Sequence, residues 1–331
     1  MKFLLLRLRR TGDIVLTTPA LSALKAAYPA AELTYVVEKP YARLVEGHPA
    51  LHKIIVLEPK MGWGAFLRLA RSIRREKYDV VLDFHGGPRA SWLTLFARAR
   101  VKVGYGVKYR RFIYGLRIPR GSALGPVHSA ENHLNLVRAL GVAVSEPVPV
   151  ALPEPLPEES DRVKKLMAGT GRAVILHIGA GNRFRDWGAQ NIAGLLSLFD
   201  SLAGVRVYLV GGQDDLRAEA EIRALHGGPV RSLVGQLNLM ELRQAIRQAA
   251  LFVGPDSGPM HIAASTATPI VAYFGPTLPA HFAPWGAKAT LLDKAFDCRP
   301  CPQRRCLYED FRCLKTITPR EVFSACRKYL D

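Results

Sequence analysis

Short apolar runs alternate with amphipathic helical stretches along this chain, and the whole alternation occurs twice. In the first half residues 3–8, 33–37, 53–57 and 80–84 read as strands. Helical periodicity runs up to about residue 28 and again over 63–77 and 89–100. A helix carrying Asn132, Leu134, Leu136, Val137 and Leu140 closes this half. Pro147, Pro149, Pro153, Pro155 and Pro157 then form a semi-rigid linker. Beyond it the pattern restarts, with strands over 173–178, 205–210, 249–253 and 269–274 and helices over 189–202, 216–225 and 239–249. Strands and helices alternating at this interval call for a parallel sheet covered on both faces. The expectation is an α/β chain of two doubly wound domains facing a cleft, residues 1–150 and 158–318.

In such sheets ligands meet the carboxyl ends of strands, which directs attention to the turns that follow them. Val253-Gly254-Pro255-Asp256-Ser257-Gly258-Pro259-Met260-His261 ends an apolar run and opens a helix, with Pro259 in its first turn. Backbone N–H groups left unpaired there can hold a phosphate, although an ordinary capped turn would look the same. His177-Ile178-Gly179-Ala180-Gly181-Asn182-Arg183-Phe184-Arg185 follows the first strand of the second half. Its small residues allow close approach of a ligand, and its arginines offer charge to a phosphate. Asp214 and Asp215, after Gly211-Gly212, could accept hydrogen bonds from a ribose or cap the next helix. At the first strand's end, Thr11-Gly12-Asp13 sets a carboxylate at a helix start, suited either to accepting a proton or to capping. This loop is neither a GxGxxG nor a Walker motif.

Charge narrows the partners. With 46 Lys+Arg against 28 Asp+Glu, the formal net charge of +18 favours polyanions. No RNA-recognition, zinc-finger or helix-turn-helix pattern accompanies it, so no nucleic-acid partner is expected. An anionic membrane face or a phosphorylated substrate accounts for the charge equally well. No apolar run is long enough to span a bilayer, and the amino-terminal segment is too short and too charged for a signal peptide; a cytoplasmic protein is expected.

These motifs, in order, resemble those of the bacterial lipopolysaccharide heptosyltransferases, glycosyltransferase family 9. Gly12-Asp13-Ile14-Val15-Leu16-Thr17-Thr18-Pro19-Ala20-Leu21 with Leu24-Lys25 is similar to that family's amino-terminal signature. Tyr78-Asp79-Val80-Val81-Leu82-Asp83 and His133-Leu134-Asn135-Leu136-Val137-Arg138-Ala139-Leu140-Gly141 resemble its mid-domain landmarks. Gly254 to His261 and Phe274-Gly275-Pro276-Thr277 resemble its donor motifs, and the resemblance runs from Lys2 to about Val322. It implies a GT-B fold and transfer of a heptose from ADP-heptose, with inversion, to the lipid A-core acceptor at the cytoplasmic face of the inner membrane. It further implies Asp13 as general base. Thr11, Gly12, Gly179, Ala180, Arg185, Asp215, Asp256, Ser257, Gly258, Pro259 and His261 would meet the donor. Arg89, Lys108, Arg110 and Arg111 are candidates for acceptor phosphates, and the helix 319–330 is expected to pack back on the first domain. Two positions depart from the family pattern: Arg185 replaces its usual lysine, and Ile178 its usual proline.

Protein groups suffice for such a transfer, so no cofactor or catalytic metal is expected; the nucleotide sugar is a substrate. Cys298, Cys301, Cys306 and Cys313 could ligate a structural zinc, but their spacing is not the paired pattern of a zinc ribbon, and reduced thiols are the reading taken. The rival readings are a family 9 transferase using another nucleotide sugar, and a non-catalytic sugar-nucleotide or polyanion binder, which would have no need of Asp13.

Overall fold

A computed structural model describes residues 1–331 apart from 107–108, 122–124, 145–146 and 180. The chain divides into two compact units, Met1–Pro153 and Glu154–Asp331. The division falls within the proline-dense stretch, where a chain with few backbone donors cannot extend either sheet.

The first unit is built on β1 (Lys2–Leu6), β2 (Glu32–Glu38), β3 (Lys53–Leu57), β4 (Tyr78–Asp83), β5 (Ala99–Tyr105) and β6 (Leu116–Ile118), in the order β3-β2-β1-β4-β5-β6. The second has β7 (Arg172–His177), β8 (Val205–Val210), β9 (Arg231–Ser232), β10 (Leu251–Pro255), β11 (Ile270–Phe274) and β12 (Ala289–Asp293), in the order β12-β11-β10-β7-β8-β9. Every pairing is parallel. The central strands are apolar on both faces: Phe3, Leu4, Leu5 and Leu6 of β1, and all five residues of β10, are buried.

In each sheet the strand order reverses between two neighbours, β1 and β4 in one unit, β7 and β10 in the other. At such a point the connections leave toward opposite faces, so a crevice opens beyond the carboxyl ends of the two strands. Asp13 and Asp83 follow or end one pair. His177 and Asp256 end or follow the other.

Sequence periodicity misplaces some elements. Residues 99–100, read as the end of a helix, begin β5, while the helix stops at Phe96. Asp13 sits in a helix, Thr11–Val15, separate from the helix Thr18–Ala27. The carboxyl-terminal helix Pro319–Leu330 corrects an expectation: it packs in its own unit, on the helix Ala189–Phe199 and on β10 and β11. Its Val322, Ala325, Cys326 and Leu330 join the core of Val174, Leu176, Val253 and Val271. The apolar stripe that would have had to reach the first domain is used up there.

Candidate active site

In the first unit, Arg7 lies just beyond β1 and is almost wholly buried. Its Nη1 donates to the Phe84 carbonyl, 2.8 Å away beyond β4, and its Nη2 pairs with Oδ2 of Asp13. The guanidinium therefore bridges the two central strand ends and fixes the Asp13 carboxylate, whose side chain is 20% exposed. Arg10, immediately before the helix of Asp13, has φ 75°, a backbone region costly for a side chain this large. Such strain next to a carboxylate held at a switch point is the pattern of a functional turn.

Asp83 ends β4 and is fully buried. One oxygen accepts from the backbone N–H groups of His85 and Gly86 at 2.9 and 2.8 Å; the other accepts from the Tyr114 hydroxyl at 2.6 Å. Burial pushes this carboxyl up, opposed by those three hydrogen bonds. Its oxygens are occupied in shaping the turn, which leaves Asp13 as the carboxylate with room to act. Next to it the His85 imidazole is pushed down to about 4 by burial and by the charges of Arg7 and Arg9. Gly87 has no space for a side chain, because a Cβ would come within 2.7 Å of the His85 ring.

Of the basic residues assigned to the acceptor, Arg110 donates to the Gly86 carbonyl at 2.8 Å and so belongs to this turn. Arg111 is exposed beside it. Arg89 pairs with buried Glu38 at 2.8 Å and donates to the Pro59 and Glu58 carbonyls, so it has the least free charge for a phosphate. Lys108 lies outside the described residues.

The second unit gathers four strand ends. Asp256 is buried; its Oδ2 accepts from Thr277 Oγ1 at 2.6 Å and lies 3.3 Å from Arg185 Nη1. The same Arg185 nitrogen donates to the Asp256 carbonyl at 3.2 Å, and its Nε donates to Gln303 at 3.1 Å. Asn182 reaches the same Gln303 oxygen at 2.7 Å. Ser257 precedes the helix Gly258–Ala263, which contains Pro259 and a buried His261; its hydroxyl lies 3.2 Å from His177 Nδ1. Burial pushes His177 down to about 3, so the ring is neutral near pH 7.

Gly179 brings the third turn against the second. A Cβ there would sit 2.0 Å from Asp215 Oδ2, an oxygen that accepts the Gly212 N–H at 2.7 Å. Asp215 is thus the acid that faces the β7 turn, whereas Asp214 is exposed. Ala180 lies outside the described residues. The result is a polar cradle at the β7–β10 switch point, made of a guanidinium, a neutral imidazole, hydroxyls, the buried Asp256 and the half-buried Asp215. Thr277, His177 and Asn182 stand in the motifs quoted from the sequence without a role of their own there, and Gln303 was not singled out. Gln303 is 118 residues from Arg185, and nothing in local pattern pairs them.

The segment that delivers Gln303 also carries the cysteines. Cys301 N–H donates to the Pro276 carbonyl at 3.0 Å, and Cys313 is buried. Burial and the nearby Cys298, Cys301 and Cys306 thiols push Cys313 up to about 11. Among the described residues no group of three or more His, Cys, Asp or Glu is arranged to hold a metal ion. No helix among them is long and apolar enough to cross a membrane.

Burial lowers the imidazoles of His48, His85, His133 and His177, which gives a pH signature. The folded chain protonates His85 and His177 only at about 4 and about 3, against an ordinary value of 6.5. Between those values the unfolded chain binds more protons, so stability is complete above about pH 6.5 and falls as the pH drops toward 4. Paired carboxylates add to the fall below about pH 5, so the readout is a difference. His177→Gln should flatten the decline of the second unit's melting temperature between about pH 6.5 and 4; an unchanged slope would refute the assignment.

The chain is 26% identical over 338 residues to lipopolysaccharide heptosyltransferase 3 of Escherichia coli, covering 98% of this chain and 97% of that one. Its fold matches a glycosyl transferase family 9 structure from Veillonella parvula with a TM-score of 0.86, at 24% identity over 99% of this chain and 97% of that one. It also matches E. coli ADP-heptose lps heptosyltransferase II with a TM-score of 0.81, at 23% identity over 100% and 98% of the two chains. The two parallel six-stranded sheets are the Rossmann-like halves of that GT-B fold. A family profile, glycosyltransferase family 9 (heptosyltransferase), matches residues 66–311, and the chain belongs to that family.

Proposed function

We propose that this protein transfers a heptose from ADP-heptose to the inner core of lipopolysaccharide, with inversion and without a catalytic metal. The observation that carries this reading is the cradle at the β7–β10 switch point, where Arg185, Asp256, Ser257 and Thr277 meet and Asp215 closes on Gly179. The amino-terminal turn of the Gly258–Ala263 helix and Arg185 would face the diphosphate. Asp256 would accept hydrogen bonds from the sugar and Asp215 from the nucleoside. In the first unit Asp13 would take the proton of an acceptor hydroxyl. That oxygen then attacks the anomeric carbon as the bond to the β-phosphate oxygen breaks, so inversion follows from a single displacement and ADP leaves with the electron pair.

The relatives' names support lipopolysaccharide as the acceptor: the matched E. coli protein is a lipopolysaccharide heptosyltransferase. Solved relatives with ADP and with an ADP-2-deoxy-2-fluoro heptose share the fold and support an adenosine-diphosphate sugar as donor. Arg110, which donates to the turn that Asp83 organises, and its exposed neighbour Arg111 are the basic residues best placed for acceptor phosphates. Location at the cytoplasmic face of the inner membrane fits a substrate of this kind and the net charge of +18.

The test is transfer to a core acceptor with ADP-heptose set against other nucleotide sugars, each in the presence of chelator. Turnover with ADP-heptose alone, unaffected by chelation, is the expected result. Turnover only with another sugar would replace the donor, and ADP binding without any turnover would point to a binding protein.

A further inference from the structure

A guanidinium carries five N–H groups in one plane, so it serves an anion best when its plane is fixed beforehand. For Arg185, Asp256 does part of this: Nη1 donates to the Asp256 carbonyl at 3.2 Å and lies 3.3 Å from Oδ2. Gln303 does the rest, its carboxamide oxygen accepting from Nε at 3.1 Å. These contacts occupy Nε and Nη1, whereas Nη2 has no partner among the described residues. The side chain is 26% exposed, so a ligand can reach it.

The orientation of the Gln303 carboxamide follows from its neighbours. Asn182 Oδ1 accepts from the Phe184 N–H at 3.0 Å, so Asn182 meets Gln303 through its Nδ2, at 2.7 Å. A guanidinium Nε can only donate. Two donors converging on one atom make that atom the carboxamide oxygen. The backbone at Gln303 has φ 56°, a left-handed region that glutamine seldom occupies, and such strain persists where surrounding contacts enforce it. The segment has other anchors. Arg299 Nη2 donates to the Thr277 carbonyl at 2.6 Å, the Cys301 N–H donates to the Pro276 carbonyl at 3.0 Å, and Phe311 meets Phe184 edge-on with ring centroids 5.5 Å apart. With the chain pinned on both sides of it, the Gln303 side chain acts on Arg185 more than on the fold.

We infer that Gln303 is a positioning residue for diphosphate recognition: its carboxamide oxygen locks the plane of the Arg185 guanidinium and leaves Nη2 for a phosphate oxygen of a nucleoside diphosphate. The inference deepens the proposed function and rests on it for the diphosphate. A neutral acceptor suits the task. A carboxylate at this position would grip Arg185 harder, but would spend its charge and set a negative group beside the phosphates.

The experiment is a double-mutant cycle on the full chain, read by calorimetric titration with ADP, adenosine and inorganic pyrophosphate. Gln303→Ala should weaken ADP and pyrophosphate binding by about tenfold and adenosine binding by less than about twofold. Gln303→Glu should weaken ADP binding at least as much. Gln303→Gly, which relaxes the backbone, should repeat the loss seen with alanine while melting at the wild-type temperature. Arg185→Ala should weaken ADP binding further, and adding Gln303→Ala to it should cost less than about twofold more, because the carboxamide acts through the arginine. Losses that add in the double variant would overturn the inference. So would wild-type ADP affinity in Gln303→Ala and Gln303→Gly, or an equal loss for adenosine. A wild-type chain that bound pyrophosphate but not ADP would sink the adenosine-diphosphate donor alone, with the cycle then read on pyrophosphate. ADP binding without coupling between positions 303 and 185 would sink only the inference, and binding of neither ligand would overturn both.

Discussion

Asp13→Asn should lower heptosyl transfer by at least about a hundredfold while ADP affinity stays within about twofold. Asparagine preserves the shape of the side chain and can still accept from the Arg7 guanidinium that braces it against the Phe84 carbonyl. What it cannot do is take a proton. A loss confined to turnover at saturating donor is therefore the mark of a base, whereas a residue that only capped its helix would lower stability and leave the rate. Initial rates and calorimetric titration with ADP on the same preparations separate the two. If the variant turned over at the wild-type rate, the proton would have to go elsewhere. Asp83 is a poor substitute, since Tyr114, His85 and Gly86 already occupy its oxygens.

Trp187→Ala has the largest expected effect on stability. The side chain is 2% exposed, its indole N–H donates to the Ile317 carbonyl at 2.8 Å, and its ring lies 4.7 Å from that of Tyr273. Removing a buried tryptophan costs about 3–5 kcal/mol, and the stranded carbonyl adds about 1 kcal/mol. For a unit of this size that corresponds to a fall of about 10 °C or more in melting temperature. Trp187 follows the turn that holds Asn182 and Arg185, so ADP should also protect the variant less in a thermal-shift measurement. Trp187→Phe keeps most of the apolar contact and loses the hydrogen bond; it should recover more than half of the stability. A melting curve for Trp187→Ala that overlays the wild type would show that the loop is held by other contacts.

The parts of the molecule legible in the sequence are those where local chemistry and long-range structure coincide. An apolar run stopped by Gly254-Pro255 and followed by Asp256-Ser257-Gly258 describes a strand end and a helix start within a few residues, and both are there. Residues 99–105 alternate Ala99, Val101 and Val103 with Arg100 and Lys102 as a half-buried strand does, but the helix Pro88–Phe96 runs into them with no Gly or Pro between to mark where one period ends and the other begins. β9 is two residues long, too short for any period to register. The helix Pro319–Leu330 shows a clear apolar stripe, but a stripe says that a helix must pack and not on what; only the core beneath Val322 and Cys326 decides that. The polar cradle of the second unit was half visible for the same reason. Asp256 and Arg185 stand in recognisable turns, whereas Gln303 arrives from a cysteine-bearing segment with no periodicity of its own.

The two sheets have one strand order, and their fourth strands carry the same device. Asp83 ends β4 and Asp256 follows β10; each is a buried carboxylate gripped at 2.6 Å by a hydroxyl from a later segment, Tyr114 in one half and Thr277 in the other. Each lies near an arginine from the segment that follows the unit's first strand, Arg7 and Arg185. The chain is thus one frame built twice and furnished differently. Turns in one half can change without rebuilding the other half. A frame of this kind lets the strand-end turns of the two units drift separately.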